Sequence, residues 1–500
     1  MNRQIAKNAK SKSASPRLKA LSMSLALILS GCATPVLQST VDVPSQFAAA
    51  TAAETEPDVA WWESFGDPVL AELIGRAAHE NRDIKIAMER VRAARGGETI
   101  SRSALWPSIG STVGAVDHST GYGDAVKREV PDVESGTAAL GVSWEVDLSG
   151  RLRAGAAAAA AETAATEDLA RGMRLLVLSD VATSYFTLVG ALEQLETVRA
   201  ISAAQDETLR LVTARQRAGL ASPFDVERAR TEASMARATI PRLETLVAVA
   251  RHRIAVLIGD QAANAAAIVP WRGATIVPEV VPGQPAALLE RRPDLLAAHA
   301  RLEAANFRRR QAAAEWFPRL FVSVLFGRQG LELNGTDLGT ARFTNAATLL
   351  ATPIFDFGRT RAINEIAESA QSEAVLRYED AIVRALEDVE NGLVALRDER
   401  TRADVLQSAA GSAEAALGRA QSLYDRGQID LLPLLDAQRA RLSVRVNANE
   451  SNTKLRLDSV QLFKALGGGW QVFESGAAPA ANAGRPSDSP TLVSTNEDPS

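Results

Sequence analysis

"FDFGRTRA", residues 355–362, and "VDLSGRLRA", residues 146–154, share the spacing Asp–Gly–Arg–x–Arg–Ala, with one residue inserted in the earlier copy. The two stretches stand about 208 residues apart. Asp356-Phe357-Gly358 is also the triplet that holds magnesium in protein kinases, but the chain has no Gly-rich loop, VAIK-type lysine or HRD motif to go with it. A catalytic metal ligand is rarely duplicated in this way. A junction in a repeated fold often is.

Other stretches repeat in the same order. "RDIKIAMERVRAA" (82–94) matches "RPDLLAAHARLEAA" (292–305), and "LWPSIGSTVGA" (105–115) matches "EWFPRLFVSVLFG" (315–327). "RAGLASPFDVERAR" (217–230) matches "DRGQIDLLPLLDAQR" (425–439). The chain is an internal duplication, with a first repeat at 67–258, a linker at 259–287 and a second repeat at 288–470. Each half reads as helix, strand, loop, strand, long helix, turn, helix. Ile382, Leu386, Val389, Leu393 and Leu396 follow the 4,3 spacing of a coiled-coil seam, as do Leu178, Ala182, Tyr185, Val189 and Leu192. No proline interrupts 357–427, a helix of about 105 Å at 1.5 Å per residue. Helices at 67–105, 223–258, 288–315 and 431–466 are about half that length or less. Residues 471–500 have the composition of a disordered tail.

The chain is 46% apolar but only 5% aromatic, which favours long, closely packed helices over a compact enzyme core. Its one cysteine, Cys32, excludes an intrachain disulfide and a Cys-based metal cluster. Residues 1–31 form a secretory signal, with six basic residues before an apolar core, and Leu29-Ser30-Gly31-Cys32 resembles a bacterial lipobox. That resemblance implies cleavage before Cys32, diacylglycerol on its thiol and an acyl chain on its amine, with 32–66 a lipidated N-terminal segment. Ala33 rather than aspartate after the cysteine points to the outer membrane. Without the signal the chain has 55 − 6 = 49 basic residues against 60 acidic ones, a net charge of −11 that argues against nucleic acid as a partner. No stretch of about 18 uncharged apolar residues follows the signal, so a membrane crossing falls to strands.

Alternation marks those strands. Ala138, Leu140, Val142, Trp144, Val146 and Leu148 form one apolar face, and Leu320, Val322, Val324 and Phe326 another. Four strands of about 9–11 residues each suffice to cross an outer membrane, although a soluble four-stranded sheet has the same signature. In lipid, four strands leave open edges with unpaired backbone groups. About eight close a filled barrel, so a water-filled lumen needs three copies and twelve strands. The polar, Gly-rich stretches 119–135 and 328–340 read as loops suited to the outer face.

The chain resembles the TolC-like outer-membrane factors of the NodT/OprM efflux lipoprotein type over about 32–470. The resemblance rests on the lipobox, "WWESFGDPVL" (61–70), "ERRPDLLAAHARLEAA" (290–305), "PIFDFGRTRA" (353–362), "YDRGQIDLLPLLDAQRARL" (424–442) and "ALGGGW" (465–470). It implies a mixed α and β fold: an outer-membrane β-barrel, four strands per chain and twelve in a homotrimer, continued by a coiled-coil periplasmic tunnel. It also implies a periplasmic adaptor, an inner-membrane pump and outer-membrane lipid as partners, and a passive duct for drug-like or toxic small molecules. Protein export by a type I system and a non-conducting envelope lipoprotein are the alternatives. On this frame Asp147, Gly150, Asp356 and Gly358 mark strand-to-helix junctions, where Asp356 in one copy and Ser149 in the other cap free N–H groups.

Enzyme constellations are absent. His79, His118, His252 and His299 are scattered, there is no HExxH or GxSxG, and no cofactor or metal site is expected. The resemblance places the turns at Gly219 and Gly427 at the tunnel tip, with Arg217 and Arg426 beside them for adaptor contact. It places Asp225 and Asp436 on acidic gate positions and Tyr424 on a gate tyrosine, with Asp225 and Tyr424 expected to meet. Asp225 following Pro223 also suits a helix cap, and Arg215, Arg217 and Arg426 cluster at the same end as partners for the acids or for the adaptor. Pro433 stands where a second pore aspartate is expected, which leaves one acidic ring at Asp436. Cys32→Ser is expected to abolish acylation and impair cleavage at this site. Mass spectrometry of the mature N-terminus checks it, and an unmodified Cys32 in the wild type would contradict the lipid anchor.

Overall fold

The computed structural model describes residues 35–49, 58–273 and 275–474, so the signal, Cys32 and the tail beyond Glu474 lie outside the described residues. The longer elements in chain order are α1 (Pro68–Glu80), α2 (Arg82–Ser103), β1 (Ser108–His118), β2 (Val133–Val146), α3 (Arg151–Arg217) and α4 (Pro223–Leu257), then α5 (Pro293–Ala313), β3 (Arg319–Leu333), β4 (Thr336–Ala351), α6 (Arg359–Asp425) and α7 (Leu431–Ala465). The duplication is explicit in these boundaries. Helices α3 and α6 are both 67 residues long, α4 and α7 both 35, and each member of a pair starts 208 residues after its counterpart (359 − 151 and 431 − 223).

The compact units cut across the repeats. One comprises Ile86–Ala170 and Pro293–Ala385 with the segment up to Val43; the other comprises Pro44–Lys85, Arg171–Arg292 and the chain from Leu386. Each unit therefore draws on both halves, and the boundaries 67–258 and 288–470 describe ancestry rather than folding units.

The first unit holds the sheet. Its strands form an antiparallel meander in the order β1-β2-β3-β4. The strands run 11, 14, 15 and 16 residues, mostly longer than the sequence pattern indicates. The difference lies mainly in 328–340, expected as a loop. β3 and β4 extend through it and turn on Asn334-Gly335 alone, with φ of 47° and 76°. Two consecutive positive φ values are the type I′ geometry that Asn-Gly favours, because its twist matches that of the flanking strands.

The second unit holds the aromatic core, built where residues 61–65 meet residues 463–473. Trp61 is fully buried, stacks on Phe463 at 5.4 Å between centroids, and donates from Nε1 to the Gly468 carbonyl at 3.2 Å. Trp470 donates in turn to the Arg291 carbonyl at 3.1 Å. The glycines of "ALGGGW" make this possible, since a Cβ on Gly469 would lie 2.9 Å from the Trp61 indole nitrogen. One 18-residue window of α3 is apolar enough on average to cross a membrane, but 61% of it is buried within the protein. The residues Val177–Val198 of that helix contribute much of the core.

A buried relay sets α1. The Asp67 Oδ1 accepts from the N–H groups of Val69 (3.0 Å) and Leu70 (3.1 Å), and Pro68 occupies the first helical position, where no N–H is needed. Asp67 Oδ2 accepts from the Tyr185 hydroxyl at 2.6 Å, and that hydroxyl accepts from the Trp271 N–H at 3.0 Å. Burial first, and the Asp67 carboxylate second, push the tyrosine's ionisation well above its usual range, so it stays a donor.

Two expected helices are broken. The stretch 67–105 divides at Asn81, whose backbone is extended (φ −61°, ψ 133°) and whose Oδ1 caps α2 through Asp83 N (2.8 Å) and Ile84 N (3.2 Å). The stretch 288–315 divides at Arg292, held out of helical geometry by Pro293. Both residues then serve the same end. Asn81 donates from Nδ2 to the Leu257 carbonyl at 2.8 Å, and Arg292 from Nη1 to the Ala465 carbonyl at 3.0 Å, satisfying the last turns of α4 and α7.

Tyr185→Phe leaves a buried carboxylate oxygen and the Trp271 N–H without their partner. The expected cost is about 1–3 kcal/mol, seen as a lower apparent Tm in detergent; an unchanged Tm would show the relay to be dispensable.

Candidate functional site

The register sorts the sheet residues onto two faces, because directly opposed residues share a side. One face carries the rows Val146–Leu320–Leu350, Trp144–Val322–Thr348, Ile109–Val142–Val324–Ala346 and Ser111–Leu140–Phe326–Thr344. The other carries Ser108–Ser143–Ser323–Ala347, Gly110–Gly141–Leu325–Asn345 and Thr112–Ala139–Gly327–Phe343. Large apolar side chains dominate the first face and small or polar ones the second.

Many large side chains of the apolar face are open, although Val142, Val322 and Val324 are half-buried and the row Ser108–Ser143–Ser323–Ala347 on the other face is exposed too. Ile109 is 76% and Val113 83% exposed, and Leu140, Phe326 and Leu350 are exposed too. On the small-residue face Ala139 is buried, and Thr137, Ser135 and Val133 are half-buried. A Cβ on Gly327 would lie 2.3 Å from the Ala138 carbonyl oxygen and 2.7 Å from Ala139 Cα. Crowding on that side is what the inside of a curved sheet produces. The sheet is therefore inside out: small and polar within, apolar and exposed without, as a strand pattern in lipid requires. Trp106, Trp316, Phe355 and Phe357, all exposed, cluster in sequence where strands meet helices, the level at which aromatic girdles sit.

The junctions explain the opening repeat. After β4, the Asp356 carboxylate accepts from Gly358 N (3.1 Å), Thr360 N (2.8 Å) and Thr360 Oγ1 (2.5 Å) at the start of α6. The Thr360 hydroxyl and then its N–H hold that carboxyl below the ordinary range. After β2 the capping residue is Asp147, not Ser149 as the sequence suggests. Its oxygens accept from Leu152 N (3.2 Å), Arg153 N (2.9 Å) and Arg153 Nε (3.1 Å). Burial works against the ionised Asp147, but these donors outweigh it and hold its pKa low. The inserted residue puts Asp147 four positions before Arg151, where Asp356 stands three before Arg359. Gly150 and Gly358 turn the chain at φ of 78° and 90°.

At the far end of the sheet a clasp joins the two turns, and nothing in the sequence reading anticipated it. Asp132 and Asn334 exchange backbone and side-chain bonds, Asp132 N to Asn334 Oδ1 at 2.8 Å and Asn334 N to the Asp132 carbonyl at 3.0 Å. The Asp132 carboxylate also accepts from Lys127 Nζ (2.5 Å) and Thr120 N (2.6 Å).

The helical tips repeat as well. Gly219 (φ 77°) and Gly427 (φ 71°) end α3 and α6 in left-handed caps, with Leu220 N bonded to the Arg215 carbonyl and Gln428 N to the Leu423 carbonyl. Tyr424 is buried with Val212, Val226, Leu431 and Leu434, and the Arg215 guanidinium lies 4.7 Å from its ring centroid. The expected meeting of Tyr424 with Asp225 does not occur within one chain. Asp225 is the third residue of α4, and its carboxylate accepts from Ser222 N (3.0 Å) and Ser222 Oγ (2.8 Å) in a capping box. Asp436 is exposed, with Arg439 Nη1 at 3.3 Å, and Arg439 also binds Glu232. Pro433 sits in the first turn of α7, where its missing N–H has no intrahelical partner to lose. Arg217 and Arg426 are exposed. Among the described residues no group of His, Cys, Asp or Glu is placed to hold a metal ion.

Comparison with known proteins agrees with this geometry. The profile described as outer membrane efflux protein matches residues 73–260 and 285–468. The probable outer membrane lipoprotein SilC of Salmonella typhimurium is 28% identical over 468 residues, covering 91% of this chain and 99% of the relative. The toluene efflux pump outer membrane protein TtgF of Pseudomonas putida is 30% identical over 429 residues, covering 85% and 89%. The solved structure of the outer-membrane channel OprN superposes with a TM-score of 0.80 at 27% identity, covering 88% of this chain and 99% of that one.

The clasp yields a test. Lys127 and then Thr120 hold the Asp132 carboxyl down at about 2, against an ordinary value of about 3.9. A depressed folded-state pKa gives stability that is complete above about pH 4 and is lost as pH falls through the folded value. Tryptic cleavage after Lys127 or Arg128 is expected to be several-fold faster in Asp132→Ala than in wild type. Equal cleavage rates would mean the clasp does not order the loop.

Proposed function

The chain belongs to the outer membrane efflux protein family, and on that footing we propose that three copies form a passive duct for drug-like or toxic small molecules. The observation that carries this reading is the inside-out sheet with both outer strands unpaired in one chain. In lipid those edges must close, and twelve strands are the smallest multiple of four that encloses a water-filled lumen. The small-residue face of Ser108, Ser143, Gly141 and Thr112 then lines the lumen, and Ile109, Val142 and Phe326 face acyl chains. Toluene efflux by one relative supports small apolar cargo.

The helices continue the lumen toward a periplasmic adaptor and an inner-membrane pump that supplies the energy. Exposed Leu220, Phe224 and Leu432 at the tip, beside Arg217 and Arg426, suit an adaptor surface. Exposed Asp436 supplies an acidic ring that favours cations. Tyr424 and Asp225 take part in closure, the first through the Arg215-covered cluster and the second by fixing the start of α4. Cys32 carries diacylglycerol and N-linked acyl groups that add a second membrane attachment. The lipobox and the description of one relative as a lipoprotein support this.

Native mass spectrometry in detergent is expected to give a trimer, and planar bilayers a cation-preferring conductance. A stable monomer or dimer would overturn the barrel. Tyr424→Phe with Asp225→Ala is expected to raise single-channel conductance without dissociating the trimer. Asp436→Asn is expected to weaken cation preference alone.

A further inference from the structure

The exposed apolar face of the sheet ends, toward the hairpin turns, on two arginines. Arg328 and Arg342 are direct register partners on β3 and β4, in a row that continues through Ala138 and Val113. Both are exposed, and among the described residues neither guanidinium has an ion pair or hydrogen bond. Like charges placed directly opposite each other destabilise a strand pair, and arginine does not relieve the repulsion by losing its proton. Such a pair is favourable once an anion lies between the two forks.

Their depth identifies the anion. Arg328 stands eight residues along β3 from Leu320, the apolar row nearest the helices. That is about 27 Å along the strand and about 20 Å across the bilayer at the usual tilt. The apolar band of outer-membrane barrels is about 25 Å tall, and the long arginine stems carry the guanidinia the remaining few ångströms to the headgroup level of the outer leaflet. Beneath them Leu140, Phe326 and Thr344 line a groove that the arginines and Val113, in the row above, also border. Phosphate above and hydrocarbon below describe one kind of molecule.

We propose that Arg328 and Arg342 bind the phosphate of an outer-leaflet glycolipid, with an acyl chain of that lipid in the groove. Arginine forks engage phosphate oxygens two at a time, which lysine does not. The acids Asp117, Glu134, Glu332 and Asp337 share a row four residues further out. At about 13 Å along the strands, they face the aqueous rim rather than the phosphate.

The inference rests on the membrane placement of the sheet argued above, and the test separates the two. Full-length protein extracted from outer membranes is probed by native mass spectrometry with diphosphoryl lipid A, dephosphorylated lipid A and inorganic phosphate. Wild type is expected to hold the diphosphoryl form at least about tenfold more tightly than the dephosphorylated form. Arg328→Gln with Arg342→Gln removes that preference, and the double lysine variant keeps part of it. Equal binding of both lipid forms by wild type overturns the site, and this comparison stands even where the glutamine variant does not assemble. An undiminished preference in the glutamine variant overturns it too, as does displacement of lipid A by inorganic phosphate at equal concentration. Wild type recovered in the outer-membrane fraction without a phosphate preference refutes the lipid site alone; wild type absent from that fraction refutes both readings.

Discussion

The two unpaired edges of β1 and β4 are the constraint on which the rest of the structure depends. A backbone N–H or C=O left bare in hydrocarbon costs several kcal/mol. A sheet whose exposed face is Ile109, Val113, Leu140 and Phe326 cannot stand alone in lipid, and it is equally unsuited to water. Closure with further copies answers both difficulties, and it requires each chain to leave the sheet at a defined angle. That requirement falls on Asp147 and Asp356, whose carboxylates take up the first N–H groups of the 67-residue helices as the chain turns.

Duplication reproduces physical requirements more faithfully than residues. The carbonyls ending α4 and α7 each need a donor from the break between two helices, and one receives a neutral amide while the other receives a guanidinium. The guanidinium also reaches Asp388 at 3.0 Å, so the second copy couples its helix end to an ion pair that the first lacks. The tip turns keep the same left-handed cap, yet α4 opens with a full capping box and α7 opens on Asp430 without a side-chain cap. Helix ends are thus secured unequally around a nearly symmetric frame.

Much of the polar chemistry at the tip is spent within the chain. Asp225 satisfies its own helix, Arg215 covers Tyr424, and Arg439 ties Glu232 to Asp436. A charged group already engaged in this way positions backbone and apolar surface, and Asp436 stays exposed beside Arg439.

The sequence by itself determined the duplication, the boundaries of α4, α6 and α7 to within a few residues, the alternation of the strands and the family. Each of these depends on local periodicity or on spacing along the chain, which a sequence displays directly. The Asn334-Gly335 turn was equally legible, since its φ signs follow from the dipeptide, although the flanking polarity disguised it as a loop. Only the tertiary structure decided that Asp147 rather than Ser149 caps α3, that Asp132 clasps Asn334, and that Trp61 meets Gly468 across 407 residues. It alone set Arg328 opposite Arg342, because register is fixed by strand pairing between segments and not by either segment's own pattern.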